Sequence, residues 1–393
     1  MFSLVGIMFH QRLKLVSEKS EKMESVKKLI MLKIPTSICN FRCSYCYLSH
    51  REDAYKGLQA DMKFTPEQVA TALSRKRMGG ICFINACADG ETLLTKNIDA
   101  YFKALVEEGH YLEIVTNLTI TSMLDRILSW DRELLKRVEF KCSFHYMELK
   151  KRNLLNVFAD NVQKIWDAGA SANIEMTPSD EWIPYINEVK KYSMMHFGAL
   201  PHISVARDNR TKNIEKLTNL SEEEFKNTWK SFDSEFWRFK YQIFGVKQTA
   251  FCYAGLWSLT VNLGTGDAYA CYYEPIGNIF LDSDLPLPEK PVGKCPIAHC
   301  FNGHAFLTFG LIPHYTKTGY GDIRNRIKKD GTEWLQPELK AFFNTKLIDN
   351  NKEWSLVHKK RYLLNKRGIF GIRGVLSTFR LYQKLHDWKI SRR

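Results

Sequence analysis

The chain has 393 residues, 45% hydrophobic and 25% charged, which excludes a disordered protein and leaves room for two or three domains. Its formal net charge of +14 points to anionic company (nucleic acid, a membrane surface or a phosphorylated substrate) without specifying a fold. Ten cysteines are too sparse for a small disulfide scaffold, and the chain shows neither signal-peptide character nor an apolar run of about 18 residues. A cytoplasmic protein with reduced thiols is therefore expected.

Residues 1–28 read as an N-terminal extension, because regular patterning begins only after Met23. Over 29–210, short apolar runs alternate with amphipathic stretches. Strands are predicted at Leu29–Ile34, Ile81–Ala86, Tyr111–Thr116, Val138–Phe144, Ser171–Met176 and His202–Ala206. Thr65-Pro66-Glu67-Gln68 offers an N-cap, a proline at the first helical position and a capping-box glutamine. Further helices are predicted over Ile98–Glu108 and Val157–Ala168, stopped by Gly109 and Gly169. Such alternation predicts an α/β fold of parallel strands joined by crossover helices. Six units are too few for an eightfold barrel, so a partial (β/α)6 TIM-like barrel is expected.

A linker helix is predicted within 211–244, starting at Ser221 with Glu224 completing a capping box. Within 245–315, the run SLTVNLGTGDAYACYY alternates in polarity around Gly264-Thr265-Gly266-Asp267 and reads as a β-hairpin. The region 316–393 reads as helical and basic. From Lys352 onward, twelve Lys/Arg stand against Glu353 and Asp387, and Ile372, Val375, Leu376, Phe379, Tyr382 and Leu385 recur at helical spacing. That stretch suits either an anionic membrane face or packing on the protein's own surface. No recognition motif supports nucleic acid.

Cys39, Cys43 and Cys46 lie on one loop after the first predicted strand, in ICNFRCSYCY. Three thiolates can hold three corners of an iron–sulfur cube, which takes four when fully ligated by protein, and so leave one iron open. A zinc site, with His50 as the local fourth ligand, and a redox thiol cluster are the alternatives. CNFRCSYCY resembles the cluster loop of the radical S-adenosylmethionine (SAM) superfamily, including Tyr45 before the third cysteine. The resemblance implies that the open iron of a [4Fe-4S] cluster binds SAM. Electron transfer then yields a 5′-deoxyadenosyl radical that abstracts a substrate hydrogen, the protein positioning cofactors that carry the chemistry.

Weaker matches follow in order. Asp89-Gly90-Glu91 resembles the family's Gly-Gly-Glu motif, with Asp in place of the first glycine, and implies Gly90 and Glu91 at the SAM ammonium. Val115-Thr116-Asn117 resembles the polar end of the third strand and brings Asn117 to the cofactor, while Ser143-Phe144-His145 resembles the segment near the ribose. Ser143 and His145 share a strand face. His145 is equally readable as a structural hydrogen-bonding group or as a residue acting at SAM or substrate. Cys87 reads either as a buried thiol or as one facing the active site as a hydrogen donor, whereas Cys82 and Cys142 read as small apolar residues.

Cys252, Cys271, Cys295 and Cys300, with the intervening hairpin, resemble the auxiliary-cluster region of SPASM and Twitch subfamilies. Four cysteines suit one fully ligated second [4Fe-4S] cluster. A structural zinc site is the alternative, with His299 and His304 as substitute ligands. These resemblances imply an enzyme that oxidises or epimerises a sugar-like or glycan substrate, or else modifies a peptide. Few residues precede Leu29 to form a peptide-recognition domain. An external one-electron reductant such as flavodoxin or ferredoxin is implied, with the tail at the inner face of the membrane. A zinc-stabilised nucleic-acid-binding protein is the rival of another class.

Overall fold

The computed structural model describes residues 23–50, 62–272, 274–281, 285–301 and 318–366. Six strands lie side by side in chain order, all parallel: β1 (Lys28–Ile34), β2 (Cys82–Ala88), β3 (Tyr111–Thr116), β4 (Val138–Ser143), β5 (Ser171–Met176) and β6 (His202–Ile203). Between successive strands run α1 (Pro66–Ala72), α2 (Ile98–Glu107), α3 (Thr121–Leu128), α4 (Leu155–Ala168) and α5 (Ile186–His196). This is the expected partial α/β barrel. Local signals set its boundaries. The Thr65 side chain accepts from Gln68 N–H while the Gln68 side chain accepts from Thr65 N–H, and Gly169 ends α4 at φ 88°. Strand β6 is only two residues long, shorter than its apolar pattern suggests.

After β6 come α6 (Glu222–Trp229), capped by Ser221 and Glu224, and α7 (Glu235–Ile243). The hairpin then forms β7 (Ser258–Asn262) and β8 (Asp267–Ala270), with β9 (Glu274–Asn278) antiparallel beyond it. Strand β7 pairs parallel with β1, Leu29 opposite Ser258, so the hairpin extends the barrel sheet to nine strands.

Strand alternation separates two faces. Ile84, Leu112, Ile114, Phe140, Ala172 and Ile174 are fully buried in the hydrophobic core. The opposite face is polar: Asn85, Glu113 and Glu139 stand in register across β2–β4, and Lys141 and Asn173 across β4–β5. Buried charge needs compensation, and the C-terminal region supplies it. A short helix, Tyr320–Arg324, brings the wholly buried Arg324 to Glu175 (2.5 Å), Glu139 (3.4 Å) and Glu113 (3.7 Å). Tyr320 donates to Glu113 at 2.9 Å.

Then α8 (Pro337–Asn344) closes the sheet at the strands' N-terminal ends. Phe342 stacks on Tyr111 at 3.8 Å, and Tyr111 donates to Glu338. Within 318–366, the described part of the C-terminal region, helices are present, and the first of them form a barrel floor. Helix α9 (Leu356–Lys366) follows. The apolar stripe from Ile372 to Leu385 lies outside the described residues. Among the described residues, no helix is long and apolar enough to cross a membrane.

Candidate functional site

With the floor closed, the open end of the barrel is the one at the strands' C-terminal ends, where the cysteine loop leaves β1. Cys43 is buried, while Cys39 and Cys46 are half-buried, and all three are free thiols. The loop is folded on itself by Cys46 N–H donating to Cys43 O (3.1 Å) and by Phe41 N–H donating to Cys39 Sγ (3.4 Å). Burial pushes the Cys39 thiol up to about 11 and Cys43 higher still, and each thiol feels the negative charge its neighbours would carry. A thiol cluster in which Cys39 and Cys43 resist ionisation fits a resident cationic group, because metal ligation is what holds thiolates deprotonated in such surroundings.

A single zinc ion is a poorer fit. Among the described residues no group of three or more His, Cys, Asp or Glu is arranged to hold one ion. Sulfurs around zinc lie roughly 3.8 Å apart, given Zn–S bonds of about 2.3 Å. His50 faces Asp208, at 3.8 Å.

The other loops lock onto this one. Glu91 N–H donates to Ile38 O at 2.8 Å, and a Cβ on Gly90 would collide with the same carbonyl. Glycine is required here by the close approach of two backbones. The Glu91 carboxylate, expected at the SAM ammonium, has both oxygens engaged by the protein. It accepts from Thr116 Oγ1 (2.6 Å), Asn117 N–H (2.7 Å) and Leu93 N–H (3.0 Å), and burial raises its pKa despite these three donors. Asn117 is tied in turn, donating to Asn40 Oδ1 (2.7 Å) and accepting from Thr119 Oγ1 (2.7 Å). Exchanging Glu91 for Gln sets an amide donor against one of these donors. E91Q is therefore expected to destabilise the protein by about 1–3 kcal/mol, the cost of an unmatched buried polar group. Urea unfolding of the variant checks this; an unchanged midpoint would show that the tie contributes nothing.

From β4, Ser143 presents a half-buried hydroxyl with no partner among the described residues, its carbonyl accepting His145 N–H at 2.9 Å. His145 Nδ1 lies 2.8 Å from the Tyr45 hydroxyl, and Tyr45 is close enough to Cys43 to influence its thiol. Burial lowers His145 to about 4, so its ring is neutral at pH 7. The sequence thus placed Tyr45 and His145 separately, and the fold joins them to each other beside Cys43. Cys87, in register with Lys33 on β1, is pushed up to about 12, chiefly by burial and further by Asp89. Cys82 and Cys142 are fully buried.

The second cysteine set also converges. Cys252 bridges Gly293 through paired backbone hydrogen bonds (2.7 and 2.9 Å), and Cys271 closes the hairpin in a left-handed conformation, φ 58°. Burial raises the Cys252 thiol, and Cys300, Cys295 and Cys271 are near enough to raise it further. Four converging thiols match the ligand number of a fully ligated cluster. His304 lies outside the described residues. His299 is 1% exposed, and neither ring nitrogen has a hydrogen-bond partner among the described residues.

Sequence patterns gave no sign of Arg207 or Lys240. Both border a small cavity that also touches Phe244, Cys300 and Phe301. Burial lowers Lys240 to about 8, and the positive charges of Arg207 and Lys141 add to that shift. Isolated basic residues outside any motif carry no legible signal; only their convergence does.

No family model matches the sequence, and no curated protein matches it. Solved structures do. Native anSMEcpe with bound AdoMet and a peptide matches at 15% identity over 65% of this chain and 78% of that one, TM-score 0.45. Streptococcus suis SuiB bound to S-adenosylmethionine matches at 14% over 70% and 68%, TM-score 0.44. BtrN in complex with AdoMet and 2-DOIA matches at 14% over 67% and 82%, TM-score 0.31. These three are radical SAM enzymes. At this level of likeness no activity, substrate or partner passes from them to this chain.

Proposed function

We propose that this protein is a radical SAM enzyme that abstracts a hydrogen atom from a sugar-like or glycan substrate, leading to oxidation or epimerisation. One observation supports this above others: Cys39, Cys43 and Cys46 cluster at the open end of a parallel barrel, on a loop locked by the Gly90–Glu91 turn. When bound, a [4Fe-4S] cluster with SAM on its open iron supplies one-electron cleavage of SAM and a hydrogen-abstracting radical. The three cysteines hold the cluster, and Tyr45, its hydroxyl bonded to neutral His145, stands beside Cys43. Ser143 offers its hydroxyl beside the cofactor. Cys87 keeps its proton at neutral pH, the state that a hydrogen-atom donor needs. An external one-electron reductant, of the flavodoxin or ferredoxin kind, completes the reaction. Peptide modification is the alternative within the same chemistry. Attachment to an anionic membrane through the residues after 366 rests on their charge alone.

Cys252, Cys271, Cys295 and Cys300 hold a second cluster in this proposal. Four thiolates satisfy all four irons, which leaves electron transfer, such as accepting the electron of a substrate radical, as its role. Replacing Cys271 and Cys300 by Ala should remove about four iron atoms per chain, measured by iron and sulfide analysis. SAM cleavage should persist while substrate turnover falls. If the variant loses no iron, or the wild type carries zinc, the auxiliary-cluster assignment fails.

A further inference from the structure

Arg207 stands between the two cysteine sets. Its guanidinium lies over the ring of Tyr47, which follows Cys46, at 4.6 Å, and over Phe301, which follows Cys300, at 4.4 Å. Ring contacts of this kind cover the flat surface of a guanidinium and use none of its five N–H donors. No carboxylate pairs with it among the described residues. Neighbouring Asp208 is held by Arg210 (2.6 Å), and Glu175 is held by Lys141 (3.1 Å) and Arg324 (2.5 Å). Lys240 shares the cavity, and its ammonium lies 3.4 Å from the Phe301 carbonyl. Beside them His299 is almost wholly buried, with both nitrogens unpartnered among the described residues, and its ring packs on Phe244 at 4.3 Å. Several basic side chains so converge in a place where desolvation strengthens any incoming negative charge.

We infer that Arg207 and Lys240 anchor an oxyanion of the substrate, phosphate or carboxylate, between the two cysteine sets. This deepens the radical-enzyme proposal and rests on it for the word substrate, but anion binding itself is measurable without turnover. An anion held there sets the remainder of its molecule alongside Tyr47 and Phe301, toward the cysteine loop. The substrate class is accordingly a phosphorylated or acidic molecule rather than a neutral sugar.

The test is isothermal titration calorimetry on reconstituted protein in chloride-free, low-salt buffer, with inorganic phosphate and with acetate as probes. Wild type should bind at least one probe saturably, and R207Q should weaken it about tenfold or more, the usual consequence of losing charge-assisted hydrogen bonds. R207K separates the sources. A point charge retains much of phosphate binding but loses the planar, two-point grip on a carboxylate. K240Q provides an independent variant if position 207 proves intolerant, and it should weaken the same probe. No saturable binding by wild type would overturn the inference. So would equal binding by wild type, R207Q and K240Q, including the case where these substitutions move only the potential of the auxiliary cluster. A wild type that binds phosphate but never cleaves SAM would refute the enzyme function and leave the anion site standing.

Discussion

Replacing Arg324 by Met is expected to destabilise the protein by about 3–5 kcal/mol, the range for removing one partner from a buried ion network. Arg324 is completely buried, and its guanidinium is the common counter-charge of Glu113, Glu139 and Glu175. It also lies over Phe236 at 4.8 Å and Tyr320 at 5.6 Å. Methionine fills much of the space but leaves three carboxylates facing Lys141 alone. The loss should depend on pH with a definite sign. Burial, and then Glu113, already hold the Glu139 carboxyl well above the usual range, and Arg324 opposes that shift. Without the arginine its folded-state pKa rises further, so native protein binds more protons than unfolded protein. Stability is then lost as pH rises through the folded pKa. The deficit of R324M should be larger at pH 8 than at pH 5, as read from urea midpoints at both values. Adding E139Q and E175Q should recover part of it by removing the uncompensated charge. Equal midpoints for wild type and R324M would mean that the network does not hold the floor.

This network also shows where sequence reading stopped. Strands β1–β5 were legible because one face of each is a run of apolar residues at period two, and because Thr65, Gly109 and Gly169 punctuate the helices between them. The cysteine loop was legible because three thiols in eight residues have few uses. Arg324 was not: an arginine in a basic C-terminal region reads as a solvated charge, since arginine is almost never fully buried unless paired. Its partners are spread from residue 113 to 175, and only tertiary packing brings them together. The parallel pairing of β7 with β1 was hidden for the same reason, because the hairpin's alternation fixes its faces but not its neighbour. Glu91 was singled out from the sequence as a candidate, yet the burial of its carboxylate among three donors depends on Thr116 and Asn117 from another strand end.

The second large effect concerns the cysteine loop itself. Replacing Cys39, Cys43 and Cys46 together by Ala removes every protein ligand proposed for the SAM-binding cluster while leaving the apolar packing of Phe41 and the four distant cysteines in place. Such a variant should still fold, because small apolar side chains substitute for thiols that pack as small hydrophobes. It should retain the iron of the auxiliary set and lose about four iron atoms. The decisive measurement is the quantity of 5′-deoxyadenosine formed when anaerobically reconstituted protein is reduced in the presence of SAM. Wild type should produce it and the triple variant should produce none. Undiminished cleavage by the triple variant, or none by a wild type that carries its full iron and sulfide, would contradict the assignment of this chain as a radical SAM enzyme.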